Sequence, residues 1–259
     1  MSILQSLIPP KGLRVLVTAG AGGIGEKITA GFVEAQARVH ISDVNPEAVN
    51  AAVGGAVTGS VADAGDEEDT RRLFDDAREA MGGIDVVVAN AGVAGPTATV
   101  ADISAREWDG TLDVNLRSAY LAARFGAPYL IENKGAFIAM SSVAGRHGFA
   151  YRTPYSAAKW GIIGLVKSLA SELGPQGVRA NAILPGIVRG PRIDRVISAR
   201  AKELGISFDE MKEQNLAKVS LRRMVEPEDI AATCLFLCAP GGGNISGQAL
   251  SVCGNVEAL

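Results

Sequence analysis

Seven short runs of β-branched and other apolar residues recur along the chain: residues 13–18, 38–42, 56–59, 84–89, 135–140, 178–184 and 249–252. Each is bounded by turn residues, and few alternate polar with apolar. Such runs read as strands buried on both faces, hence as a parallel sheet covered by helices. Helix-length segments lie between most of them, at 24–36, 66–81, 105–132, 153–173 and 227–237. Asp66 stands at a cap position and Pro227 in a first turn, where helices start. Strand–helix alternation of this kind predicts an α/β, doubly wound fold. A length of 259 residues suits one such domain with a single large sheet, and no linker-like composition divides it. The expectation is one catalytic domain over 1–259. Only the segment 190–220 breaks the rhythm, with two short helical patterns and no strand; it reads as a lid over a substrate.

The first run ends in Thr18-Ala19-Gly20-Ala21-Gly22-Gly23-Ile24-Gly25, and a helix follows. Glycines there permit a tight turn, close approach of backbone to a pyrophosphate, and close packing of helix on strand. The helix N-terminus then offers unpaired N–H groups and a positive dipole end to phosphates. The second run ends at Asp43, 18 residues after Gly25. A carboxylate at that point accepts hydrogen bonds from ribose hydroxyls and repels a 2′-phosphate. Ser42, Val44 and Asn45 supply no cation for such a phosphate, so NAD is expected over NADP.

Tyr155-Ser156-Ala157-Ala158-Lys159 places a phenol and an ammonium at i, i+4 on one helix face. A neighbouring cation favours a phenolate, which suits a tyrosine to proton transfer. Thirteen residues upstream, Ser142 closes a strand, at the sheet edge where α/β ligands bind. Two further polar groups are hard to explain by packing. Asn90 ends the 84–89 run ahead of Ala91 and Gly92, and Asn115 interrupts the long helical segment 105–132, although asparagine is a poor helix former.

Together these motifs resemble the short-chain dehydrogenase/reductase family, in its short single-domain branch, across essentially the whole chain. The resemblance implies a seven-stranded Rossmann-type sheet and hydride transfer between an alcohol and a nicotinamide. It implies Tyr155 as acid/base and Ser142 as partner of the substrate oxygen. Lys159 would tune Tyr155 and bind the nicotinamide ribose, and Asn115 would hold a water in a relay to Lys159. The cofactor would meet Gly20, Gly22, Gly23, Ile24 and Gly25 at the turn, and Asp43 beyond it. Asp63 and Ala64 would contact adenine. Asn90, Ala91, Gly92 and Tyr155 would also bind the cofactor, and Pro185, Gly186 and Val188 would line the nicotinamide. The chain departs from the family pattern at Ala19, where a glycine is usual; at Gly190, where a threonine often contacts the carboxamide; and at Val252-Cys253-Gly254-Asn255, where the family often has an acid and two glycines.

Charge adds a clue to the substrate. Residues 146–195 hold eight Lys/Arg against two acids in a chain of net charge −3. Arg152 and His147 lie in the loop between Ser142 and Tyr155, and Arg192 opens the lid segment. These three are candidates to bind a polar or anionic hydroxy substrate, since an Arg fork suits carboxylate, sulfonate or phosphate. The leading expectation is an NAD-dependent oxidoreductase of secondary alcohols, such as a hydroxy acid or a sugar-type polyol. The alternatives are an epimerase or dehydratase using transient oxidation, and a non-catalytic NAD-binding regulator.

The overall charge gives no electrostatic case for nucleic acid or an anionic membrane. Three cysteines form no disulfide framework, so reduced thiols and a cytoplasmic protein are expected. Cys234 and Cys238, at i, i+4, read as core thiols, and no metal is expected. Residues 230–256 carry no charge, but Pro240-Gly241-Gly242-Gly243 cuts them too short to cross a bilayer. The N-terminus lacks a basic-then-apolar leader pattern. The relatives pair through long central helices, here 105–132 and 153–173, so a homo-oligomer, a tetramer or else a dimer, is expected.

Overall fold

The apolar runs become seven strands: β1 (Arg14–Thr18), β2 (Arg38–Asp43), β3 (Val57–Val61), β4 (Val86–Ala89), β5 (Ala136–Met140), β6 (Arg179–Pro185) and β7 (Ala249–Val252). All neighbouring pairs are parallel, in the order β3-β2-β1-β4-β5-β6-β7. The computed structural model describes residues 2–256; residue 1 and residues 257–259 of the expected 1–259 domain lie outside the described part. Because strand side chains alternate in direction, the central strands β1, β4, β5 and β6 feed two cores. Leu16, Val87, Phe137 and Ala182 face α4 (Glu67–Met81), α6 (Ser118–Asn133) and α7 (Thr153–Leu173). Val15, Val17, Val88 and Ile138 face α2 (Gly23–Glu34) and α10 (Pro227–Cys238). This is the two-sided burial that the continuous apolar runs require.

Three elements differ from the expectation. The short helices α1 (Ile3–Ser6) and α3 (Pro46–Ala52) were not foreseen. The segment 105–132 is not one continuous α-helix. It divides into α5 (Ala105–Leu112), a π-helical turn at Asp113–Arg117, and α6. The segment after β6 forms α8 (Pro191–Leu204) and α9 (Phe208–Ala217), which pack on each other through Ile197, Ala201 and Met211. Cys234 and Cys238 are buried in the α2/α10 core. Burial pushes the Cys238 thiol up to about 12 and raises that of Cys234 as well. Among the described residues, no helix is long and apolar enough to cross a membrane.

Strand order reverses between β1 and β4, where successive crossovers leave the sheet in opposite directions. In open α/β sheets a crevice forms outside the strand C-termini at that point, and ligands bind there.

Candidate active site

A cleft of about 550 Å³ lies along this edge, with α8 and α9 forming the facing wall. Following the sheet order, Asp43 of β2 and Ala19 after β1 mark one end, and Ser142, Tyr155 and Lys159 line the other.

The glycine turn is held by contacts that leave no room for side chains on one side and open space on the other. A Cβ on Gly25 would lie 2.1 Å from the Ala19 carbonyl oxygen and 2.8 Å from Asn90 Nδ2. At Gly22 and Gly23 a Cβ would meet nothing within 4 Å, and both residues line the cleft with Ile24. No side chain caps α2, whose N-cap is Gly22, so its first N–H groups remain for an anion. Gly20 anchors the turn by donating its N–H to Ser42 O at 2.9 Å. Thr18 pins it to β4: its hydroxyl oxygen accepts from the N–H groups of Asn90 and Ala91, each at 3.0 Å. The Asn90 amide donates to Thr18 O and Ala19 O. Asp43 accepts from Asn45 N–H and faces the cleft with carboxylate oxygens to spare. Asp63 and Ala64 follow β3, the neighbour of β2. Asp63 accepts from Gly65 N–H, and Ala64 is buried. The open backbone cradle, the uncapped helix and the Asp43 carboxylate fit a dinucleotide cofactor.

At the other end, Ser141 and Ser142 follow β5. Ser141 donates its hydroxyl to Lys159 O at 2.7 Å, tying strand to helix α7. The Ser142 hydroxyl oxygen accepts from Ala144 N–H at 3.2 Å, so its own proton remains to be donated. Lys159, 3% exposed, donates from Nζ to Met140 O at 2.8 Å and lies 5.5 Å from the Tyr155 ring centroid. Burial, with Arg192 adding to it, holds the Lys159 ammonium down at about 7.

The π-helical turn explains Asn115. A π-turn shifts the backbone ladder by one residue, and here Ser118 N–H reaches Asp113 O. Asn115 is fully buried and donates its amide to Thr111 O at 2.8 Å and Val93 O at 3.2 Å. Its Oδ1 has no protein partner. A Cβ on Gly92 would stand 2.8 Å from that oxygen and 3.4 Å from Lys159 Nζ, so only glycine allows the two groups and the β4 edge to share this corner.

The remaining expected residues divide. Pro185, Gly186 and Val188 line the cleft after β6. Arg152 lines it and is buried, with its guanidinium over the Tyr155 ring at 4.7 Å from the centroid. Arg192 lines it from α8 and donates to Gly92 O at 3.1 Å. His147 is half-buried and is not among the lining residues. Gly190 sits at φ 142, a conformation that an L residue such as the family's threonine avoids. Sequence reasoning overlooked Thr18, Phe149, Arg200 and Lys218. The spacing of Arg192, Val196 and Arg200, four apart on one face of α8, is a signal that could have found Arg200.

Such a sheet and cleft define a Rossmann-type α/β protein with a site fit for a dinucleotide, and comparison with known proteins gives the class. A family model described as Enoyl-(Acyl carrier protein) reductase matches residues 19–255. The chain is 33% identical over 249 residues to the (2S)-[(R)-hydroxy(phenyl)methyl]succinyl-CoA dehydrogenase subunit BbsD of Thauera aromatica, covering 92% of this chain and 94% of that one. It is 32% identical over 246 residues to human dehydrogenase/reductase SDR family member 4, covering 92% and 85%. The structure of NAD+-bound xylitol dehydrogenase superposes with a TM-score of 0.91 at 26% identity, covering 95% of this chain and 99% of that chain. The chain belongs to the short-chain dehydrogenase/reductase family, oxidoreductases that act on CH–OH groups with a nicotinamide cofactor.

Proposed function

We propose that this protein is an NAD-dependent dehydrogenase or ketone reductase of a secondary alcohol, a polar or anionic hydroxy compound such as a hydroxy acid or a sugar-type polyol. The observation that carries this reading is the meeting of Ser142, Tyr155 and Lys159 in one corner of the cleft, with Asn115 Oδ1 buried behind Gly92 on the Lys159 side, and with the glycine cradle and Asp43 at the far end. A bound nicotinamide supplies the hydride acceptor or donor. Ser142 donates its free proton to the substrate oxygen and holds it toward Tyr155. Tyr155 gives or takes the hydroxyl proton. Lys159, its Nζ fixed by Met140 O 5.5 Å from the Tyr155 ring centroid, assists the proton transfer at Tyr155 and reaches the nicotinamide ribose. Asn115 Oδ1 holds a water that passes protons to Lys159. Gly20 to Gly25 cradle the pyrophosphate, Asp43 accepts from the adenosine ribose, Asp63 and Ala64 meet adenine, and Asn90 to Gly92 with Pro185, Gly186 and Val188 border the nicotinamide. Arg152 and Arg192 orient the substrate, and His147, outside the cleft lining, stands in the loop before Arg152. Helices α8 and α9 act as its lid over a single catalytic domain, which assembles as a tetramer or dimer in the cytoplasm.

Absorbance at 340 nm, with NAD and a panel of polyols, sugars and hydroxy acids, tests the reading. Net NADH formation is expected. Turnover without it would mean an epimerase or dehydratase, and binding without turnover a regulator. Tyr155→Phe should lower kcat by about 10²–10⁴-fold while leaving NAD binding in place. A variant that kept its rate would remove Tyr155 from the chemistry.

A further inference from the structure

The lid side of the cleft carries more positive charge than proton transfer uses. Arg152 is 3% exposed, and its guanidinium lies against both the Tyr155 ring and the Phe149 ring, 5.1 Å from the latter's centroid. Arg200 of α8 reaches the same Phe149 ring at 5.7 Å. Lys218, just past α9, lines the same space. Among the described residues, no carboxylate pairs with Arg152, Arg192, Arg200 or Lys218; every ion pair lies elsewhere. Two buried donors have no acceptor at all, Arg152 Nε and Arg200 Nε. A buried cation without an anion is expensive, and here the cations also oppose one another. Burial holds the Arg152 guanidinium below its ordinary range, with Tyr155 opposing the effect and Arg192 and Arg200 adding to it. Burial and Arg200 hold Lys218 down in the same way.

We propose that Arg152 and Arg200, both stacked on Phe149, form with Lys218 of the same cleft wall a binding site for an oxyanion group of the substrate: a carboxylate, sulfonate or phosphate on the carbon chain that bears the reacting alcohol. One Arg152 terminal nitrogen donates to Ala94 O; the remaining terminal guanidinium nitrogens of Arg152 and Arg200, with the Lys218 ammonium, are matched to such oxygens. Phe149 holds both guanidiniums in place by stacking. Arg152 touches the Tyr155 ring, which sets the anion only a few bonds from the carbinol carbon. That last placement rests on the proposed role of Tyr155; the anion site itself does not. The cofactor's phosphates are a poor alternative occupant, because their cradle lies at β1 and α2, on the far side of β4 and β5.

Calorimetric titration with propane-1-sulfonate, an unreactive probe, in the presence of saturating NAD, tests the site apart from any turnover. The wild-type protein should bind it. Arg200→Met and, separately, Lys218→Met should each weaken binding by about tenfold or more, and Arg200→Lys should retain part of it. No binding by the wild type, loss of binding once NAD is added, or unchanged binding in both Met variants would overturn the proposal. The second of these would mean that the anion had occupied the cofactor's phosphate cradle. Turnover then locates the site relative to the chemistry. The kcat/KM for 3-hydroxybutanoate, 2-hydroxypropane-1-sulfonate or 2-hydroxypropyl phosphate should exceed that for 2-butanol and 3-hydroxybutanamide by about 100-fold for the best anion, and the ranking of the three identifies the group. Equal turnover of charged and neutral alcohols would overturn the substrate assignment while leaving the dehydrogenase reading intact. Sulfonate binding without oxidation of any alcohol would do the reverse.

Discussion

Ala19 holds a methyl group in backbone that favours glycine, at φ 49 in the turn that ends β1. An L residue in that region costs about 1–2 kcal/mol relative to an unstrained conformation, and glycine recovers part of it after its own entropy loss. Ala19→Gly should therefore raise stability by about 1 kcal/mol, read as an upward shift of Tm; an unchanged or lower Tm would show that the turn accommodates the methyl without strain. Asp43 bears on the choice between the two nicotinamide cofactors. Wild-type kcat/KM should favour NAD over NADP, and Asp43→Ser should shrink that ratio by about tenfold or more, because it removes both a ribose acceptor and a charge that repels the 2′-phosphate. A wild-type preference for NADP would overturn the assignment. Ala19, Gly190 and Asn115 all stood out in the sequence as departures or misfits, and in the structure each has an unusual backbone setting: two at positive φ and one in a π-turn. Arg200 and Lys218 did not stand out, because a charged residue on a helix reads as solvated until the packing of that helix is known.

Between residues and the whole lie the elements, and here length decided what was legible. Strands buried on both faces leave a continuous apolar signature, and all seven were visible. The helix α3 has Asn45 as its cap and Pro46 in its first turn, both visible start signals, yet it is seven residues long and buries only Val49, so it shows no periodicity. The π-turn was hidden for another reason: its stabilising partner, Val93 O, comes from a different part of the chain. The strand pair β2–β3 buries a histidine that makes stability depend on pH. His40 stands opposite Thr58, with Nδ1 2.8 Å from Thr58 Oγ1 and Nε2 3.1 Å from Ser60 Oγ. Ser60 donates its only hydroxyl proton to Asp76 of α4 at 2.6 Å, so toward the ring it accepts, and Nε2 carries the imidazole proton. Burial lowers the His40 imidazole to about 4, with Asp76 opposing. The unfolded chain takes up this proton at about 6.5, so the unfolded state gains protons first as pH falls. The stability that His40 contributes is full above pH 6.5 and is lost between 6.5 and 4, on the order of 2–3 kcal/mol. Chemical denaturation across that range should show the loss, and His40→Gln should flatten it; an equal slope in the variant would assign the acid sensitivity to other groups.

At the scale of the whole molecule, the two-sided sheet was readable because its central strands are covered on both faces. Its strand order was not, since no local pattern states which strands are neighbours. That order brings Asp43, Asn90, Ser142 and Pro185 to one edge from four different strands. The outer surface bears on assembly. Tyr120 on α6 and Trp160 on α7 are 46% and 52% exposed, large apolar side chains on the helices through which pairing is proposed. Gel filtration should give a mass two or four times the 26.8 kDa of one chain, and elution at the monomer mass would contradict the proposed assembly. The parallel sheet also sets a timetable for the molecule's birth. No two strands that pair are joined by a hairpin, so every pairing must first close a long loop, and the central β1–β4 contact, sealed by Arg14 and Asp85, joins positions 71 apart. Such contacts are slow to find. The crevice between β1 and β4 therefore opens late on the folding route, and a newly made chain will show helix well before it can hold a nucleotide.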